Sequence, residues 1–210
     1  MEGTYVRYLI IAVAWTAYLA LHSAMISISV TDRLKRIMGD HYRWYRLIFN
    51  AVAIGTLIPL TMLSTRLRDP MFFTWEGCLL YLKWALRALG ISLFIAGLRH
   101  YSFLQFLGIR QALDGSRHNL MNASGAIDES GILGLIRHPF YAGTFVLFWA
   151  RELDATRLII NIIVSVYLVI GTILEERKLV AEFGDAYEAY KRRVSMFFPW
   201  RRITALFGPA

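Results

Sequence analysis

Four stretches of this sequence are long and apolar enough to cross a bilayer as helices: residues 5–28, 47–63, 78–98 and 158–174. A crossing takes about 20 mostly apolar residues at 1.5 Å of rise each. A fifth stretch, residues 132–150, has the same apolar character but is interrupted by Arg137-His138-Pro139. The first stretch lacks a basic start and a small-x-small cleavage site, so it is expected to be a true span rather than a signal peptide. The fold predicted is therefore all-α: an integral membrane protein with five transmembrane helices and an amphipathic C-terminal helix, in one domain over residues 1–210.

Composition agrees. Of the 210 residues 57% are hydrophobic and only 18% charged, which excludes disorder and argues against a soluble enzyme. A net charge of +8 would, in a soluble chain, raise nucleic-acid binding. In so apolar a chain it points to basic cytoplasmic loops instead, and no nucleic-acid partner is expected. Cys78 is the only cysteine, which leaves no intramolecular disulfide and no multi-thiolate metal site within one chain.

The loops orient the spans. Arg33, Lys35, Arg36, Arg43 and Arg46 follow the first span, and Arg99, Arg110 and Arg117 follow the third. Seven more basic residues follow the last, from Arg177 to Arg202. Against these fifteen, the opposite side holds only Arg7, Arg66, Arg68, Arg151 and Arg157. The positive-inside rule then puts the N-terminus outside and the C-terminal tail in the cytoplasm, a parity that five spans satisfy. Lys83 and Arg87, one turn apart, are expected to snorkel toward the outer interface. Residues 151–157 are short enough to join the last two spans as an antiparallel hairpin. No internal repeat supports an inverted-repeat transporter. The polar connection over residues 111–131 is long enough to be a lid or binding loop.

Two clusters carry chemistry. The first is Arg137-His138-Pro139-Phe140-Tyr141-Ala142-Gly143. Ionisable groups in an apolar segment are costly and usually serve a site. Pro139 suits the first turn of a helix, where free N–H groups and Arg137 would welcome an anionic ligand group. Gly143 would admit a ligand or a neighbouring helix at close range. A Pro-initiated helix with an interfacial arginine explains the same residues equally well. The second cluster is Glu175-Glu176 at the end of the last span. Neither glutamate has a cation at i+4. Glu175 can reach Lys178 at i+3, or the pair can accept hydrogen bonds from a ligand's hydroxyl or ammonium groups. Leu179, Phe183, Tyr187 and Tyr190 recur at three- and four-residue spacing, as in an amphipathic helix lying on the membrane or folded over the site.

Together, Arg137-His138-Pro139-x-Tyr141-x-Gly143 and the later Glu175-Glu176-x-x-Leu179-x-x-x-Phe183-Gly184-x-x-Tyr187-x-x-Tyr190, closed by Pro199, resemble the signature of integral membrane methyltransferases. These include isoprenylcysteine carboxyl methyltransferase and phospholipid N-methyltransferases. The resemblance covers roughly the last eighty residues. A narrower likeness, to the NnrU and methanethiol S-methyltransferase branch, rests on Leu21-His22-Ser23, Tyr42-Arg43-Trp44-Tyr45-Arg46 with Asn50, Leu107-Gly108-Ile109-Arg110-Gln111 and Phe148-Trp149-Ala150, together with Arg157-Leu158, Tyr167 and Gly171 leading into Glu175.

The resemblance implies an S-adenosylmethionine-dependent enzyme of a bacterial inner membrane, with its cofactor-site half at about residues 101–199. His138, Pro139, Tyr141 and Gly143 would contact the cofactor, with Glu175 or Glu176 binding it from the other side. Arg137 and His22 are the candidates for substrate orientation and catalysis. The branch implies a small thiol acceptor, such as methanethiol, within the membrane lipid; prenylcysteine carboxylates and phospholipid amines are the competing acceptors. For His22 a structural bond to a neighbouring helix weighs equally. His41, His100 and His118 are expected at the surface. No metal is expected, although some NnrU-type relatives are associated with haem; a haem-binding redox or isomerase protein is the alternative reading.

Overall fold

A computed structural model describes residues 2–100, 104, 107–114 and 127–207. Most of the polar connection over 111–131, and His118 with it, lies outside the described residues. Among those described the chain is helical, with four helices long and apolar enough to cross a membrane. The chain forms two compact units: Met1–Thr74 with Phe103–His118 and Glu152–Tyr167, and Trp75–Ser102 with Asn119–Arg151 and Leu168–Ala210.

In the first unit, α1 (Glu2–Ile26) ends at Ser27, whose extended backbone (φ −69°, ψ 148°) starts α2 (Ile28–Met38). The Ser27 hydroxyl accepts a bond from Val30 N–H, a serine N-cap. No residue of α2 is buried, and its apolar residues (Val30, Leu34, Ile37, Met38) share one side of the helix. A 3-10 turn over Gly39–Trp44 leads into α3 (Tyr45–Arg66), which carries Pro59 internally. Buried polar bonds tie α1 to α3: Trp15 Nε1 donates to Ser64 Oγ at 2.9 Å, and Tyr45 Oη donates to the Met25 carbonyl at 2.6 Å. Such bonds count where no water competes. Near the start of α1, Arg7 pairs with Asp69 at 2.8 Å. Residues 109–114 form the short α5 (Ile109–Asp114); before it, Gly108 (φ +86°) packs on Arg46, where a Cβ would lie 2.8 Å from the arginine's own. Both the dihedral and the space require glycine there.

The second unit contains α4 (Leu79–Leu98) and α6 (Pro139–Trp149), packed antiparallel. Gly97 faces Phe140, and Gly90 faces Gly143 and Leu147. A Cβ on Gly143 would sit 2.9 Å from the Gly90 carbonyl oxygen, so the two backbones meet through their glycines. Arg87 Nε donates to the Ala150 carbonyl at 3.1 Å, fastening α4 to the end of α6. Lys83 does not snorkel as expected: it is buried within this unit.

Residues 132–150 do not form one crossing helix. A 3-10 turn over Gly131–Gly134 precedes an irregular stretch, and α6 begins only at Pro139. Its 11 residues reach about 16 Å, half the hydrocarbon thickness. α7 (Ala155–Phe183), begun by Asp154 accepting the Arg157 N–H at 2.8 Å, runs for 29 residues. It passes through Glu175-Glu176 without a break and stops at Gly184 (φ +55°), where α8 (Asp185–Arg193) begins. Leu179, Tyr187, Tyr190 and Val194 make a buried cluster, with Phe183 and Ile127 against it. The expected amphipathic C-terminal helix is thus two helices folded on each other through their aromatic face. α9 (Trp200–Phe207) follows.

The long helices leave large apolar side chains exposed along their length, among them Leu9, Val13, Ile58, Ile91, Ile95 and Val166. A water-soluble monomer does not tolerate such a surface; a bilayer requires it.

Candidate active site

The site in the second unit is built around one buried carboxylate. Glu176 Oε1 accepts from Arg137 Nε at 2.8 Å and from His138 Nε2 at 3.0 Å, and lies 2.6 Å from Arg137 Nη2. All three side chains are more than nine-tenths buried. An unpaired charge could not be kept there; two donors on one carboxylate make the burial tolerable. Glu176 Oε2 takes no part in these bonds.

Arg137 is further tied to the backbone that ends α8: Nη1 donates to the Lys191 carbonyl at 3.2 Å and to the Val194 carbonyl. Its main chain is fixed as well. Ile136 and Ser195 form an isolated parallel bridge; the Arg137 N–H donates to the Ser195 carbonyl at 2.9 Å and the His138 N–H to the Met196 carbonyl at 3.1 Å. The segment after α8 is therefore strapped beside the start of α6. Tyr190 Oη adds a bond of 2.7 Å to the Leu133 carbonyl. Burial pushes the Tyr187 phenol well above its ordinary range, and the Glu176 charge adds to this, so Tyr187 stays protonated.

His138 caps α6 without a side-chain bond to its backbone, and Pro139 takes the first helical position. Since Glu176 accepts at Nε2, that nitrogen carries the proton, leaving Nδ1 as the acceptor in the neutral ring. Nδ1 lies 3.8 Å from Glu175 Oε2. Glu175 differs from its neighbour: its side chain is 35% exposed against 7% for Glu176. The Tyr141 ring stacks on the His138 ring, 5.6 Å between centroids and 10° from parallel. Gly143 is buried against α4, so its close approach serves helix packing.

The expected residues thus divide. Arg137, His138, Pro139, Tyr141, Glu175 and Glu176 gather at one place, while Gly143 faces a helix. His22 belongs to the first unit. There Ser23 Oγ donates to Tyr167 Oη at 3.2 Å, and His22 Nδ1 is buried without a hydrogen-bond partner. His41 is exposed on its 3-10 turn, as expected of a surface histidine. His100 is not idle: its Nδ1 pairs with Asp128 Oδ2 at 2.7 Å. Among the described residues no cluster of three His, Cys, Asp or Glu side chains is placed to hold a metal ion. The Lys191 and Val194 carbonyls and the Ser195-Met196 strap were not among the expected parts; backbone acceptors carry no residue signature.

An all-helical integral membrane protein with a buried arginine–glutamate–histidine cluster beside a half-exposed second carboxylate is the class these observations define. Comparison with known proteins narrows it. The chain is 47% identical over 68 residues to methanethiol S-methyltransferase 1 of Bradyrhizobium diazoefficiens, covering 32% of this chain and 24% of that protein. It is 32% identical over 130 residues to methanethiol S-methyltransferase of a Pseudomonas species, covering 61% and 48%. With the Mycobacterium tuberculosis protein of that name it shares 31% over 118 residues, covering 56% and 48%. These matches support the branch of membrane methyltransferases that the motifs resemble. The chain spans a quarter to a half of the length of the curated relatives it matches. No protein-family model matches the chain, and no solved structure does.

Proposed function

We propose that the protein is an S-adenosylmethionine-dependent membrane methyltransferase that converts a small thiol to a methyl thioether. The carrying observation is the convergence of Arg137, His138 and Glu176 with Glu175 at its open edge, in a chain whose relatives are named for methylating methanethiol. The residues fit such a cofactor. Glu175 offers a carboxylate to hydroxyl and ammonium donors, and the stacked pair of His138 and Tyr141 offers a flat partner. Bound there, S-adenosylmethionine would supply an electrophilic methyl group on a sulfonium.

In this reading Glu175, His138, Pro139 and Tyr141 form the cofactor-facing edge. Glu176 and Arg137 hold that edge in place, since Arg137 spends its donors on Glu176 and two carbonyls. The chain's task is alignment and exclusion of water, because methyl transfer is an in-line displacement. His138 Nδ1 and His22 are the groups able to accept a thiol proton. The relatives' names favour methyl transfer over the haem-binding alternative.

The same reading keeps the N-terminus outside and the C-terminal tail in the cytoplasm, with residues 131–149 counted as the fifth crossing although only Pro139–Trp149 is α-helical. Reporter fusions at Ala210 and within residues 111–131 are expected to report cytoplasm; a periplasmic signal from either overturns the orientation. Calorimetry with S-adenosylmethionine, beside a visible spectrum, tests the enzyme class. Saturable binding without a Soret band is expected; a Soret band without binding would overturn it.

A further inference from the structure

The first unit holds a cleft of about 170 Å³ at His22, walled by Tyr18, Leu21, Met25, Phe49 and Ala53. Three rings surround the imidazole: Phe49 at 4.9 Å between centroids, Tyr18 at 6.2 Å and Tyr167 at 6.5 Å. No charged side chain lines the cleft. Thr56, also in its wall, spends its hydroxyl proton on carbonyls of its own helix, Val52 at 2.7 Å and Ala53 at 3.3 Å. His22 Nδ1, by contrast, is buried and unpaired. A buried polar atom in this state needs a partner from whatever fills the space beside it.

We propose that this cleft binds a small uncharged thiol, and that His22 is its hydrogen-bonding handle. The chemistry selects that class in three ways. A carboxylate, phosphate or ammonium would enter without a counter-charge, which burial penalises heavily. That argues against prenylcysteine carboxylates and phospholipid headgroups, which are also too large for the space. An alkyl chain would leave Nδ1 unsatisfied. A thiol supplies one weak donor, S–H, to the imidazole and a polarizable sulfur to an aromatic and methionine wall, where sulfur–ring contacts are favourable. The inference rests on the thiol methylation proposed above, because it names the acceptor's subsite.

The test uses the purified full chain in phosphatidylcholine nanodiscs, with ¹⁵N-labelled histidine and no S-adenosylmethionine. The His22 resonance is assigned by its loss in His22→Phe. Ethanethiol is expected to shift that resonance saturably, while propane and tetramethylammonium leave it unmoved. Ala53→Leu, which fills the cleft from the facing wall, is expected to weaken ethanethiol binding about tenfold or more. The wild-type comparison of the three probes stands without any variant. No saturable shift with ethanethiol, an equal shift with propane, or a shift with tetramethylammonium overturns the proposal. S-adenosylmethionine calorimetry on the same sample separates the two failures. Thiol binding without cofactor binding leaves the cleft standing and sinks the methyltransferase reading; the reverse sinks the cleft alone.

Discussion

Arg137 Nη2 lies 2.6 Å from Glu176 Oε1, with both side chains about 93% or more buried, and the pair joins the entry of α6 to the late turns of α7. A buried pair of this kind contributes little net stability compared with an apolar replacement, yet removing one partner strands the other charge. Arg137→Ala is expected to destabilise the protein by about 3–5 kcal/mol, and Glu176→Ala by a similar amount. The double variant should cost clearly less than the two together, since nothing is then stranded. Reversible unfolding in detergent, analysed as a double-mutant cycle, measures this; additive losses would show that the pair is not coupled.

Glu175 offers a contrast with its neighbour. It is half-open, and its nearest cation-forming group is His138 Nδ1 at 3.8 Å, too far for a hydrogen bond. Glu175→Ala is expected to leave stability within about 0.5 kcal/mol. It should weaken S-adenosylmethionine by about 1.5–3 kcal/mol, roughly 10- to 150-fold, through loss of a charge-assisted bond. Calorimetry on Glu175→Ala and Glu176→Ala decides the matter: unchanged affinity in both removes the carboxylates from the cofactor site.

Asp128 provides a pH test of the segment that leads into the site. Its Oδ1 accepts from the Ser130 hydroxyl at 2.6 Å and the Ser130 N–H at 2.9 Å, and Oδ2 faces His100 at 2.7 Å. These bonds, those from Ser130 foremost, lower its carboxyl from 3.8 to about 2. A carboxyl depressed on folding stabilises above its unfolded value and loses that contribution as pH falls through the folded one. Protection of the Ser130 amide against hydrogen exchange is therefore expected to hold above pH 4 and to fall between pH 4 and 2, relative to the α4 amides. In Asp128→Asn that difference should vanish. An identical pH course in the variant would contradict the assignment.

Much of this arrangement was legible in the sequence, for a physical reason. Arg137, His138, Glu175 and Glu176 stand out because charge in or beside an apolar span must be accounted for, and the structure brings His138 and Glu176 to 3.0 Å. Four spans were visible by length alone. The fifth was not what it seemed: apolar content counts Gly131–Gly134 and the residues up to His138 as membrane, while Pro139 fixes where the helix starts. Glu175-Glu176 read as a span's exit, but only Gly184, with its positive φ, ends α7. Lys83 read as an interfacial charge because burial of a lysine depends on partners that sequence spacing does not reveal. The Lys191 and Val194 carbonyls that hold Arg137 are backbone atoms, invisible to any residue pattern.

The central claim is methyl transfer to a small thiol, and a headspace assay addresses it most directly. Purified protein is incubated with methyl-labelled S-adenosylmethionine and, separately, with methanethiol, hydrogen sulfide, a prenylcysteine and phosphatidylethanolamine. Volatile labelled dimethyl sulfide from methanethiol, abolished in Glu175→Ala, is the predicted result. Label found only in prenyl ester or lipid would contradict the thiol acceptor, and no transfer to any of the four would contradict the methyltransferase account itself.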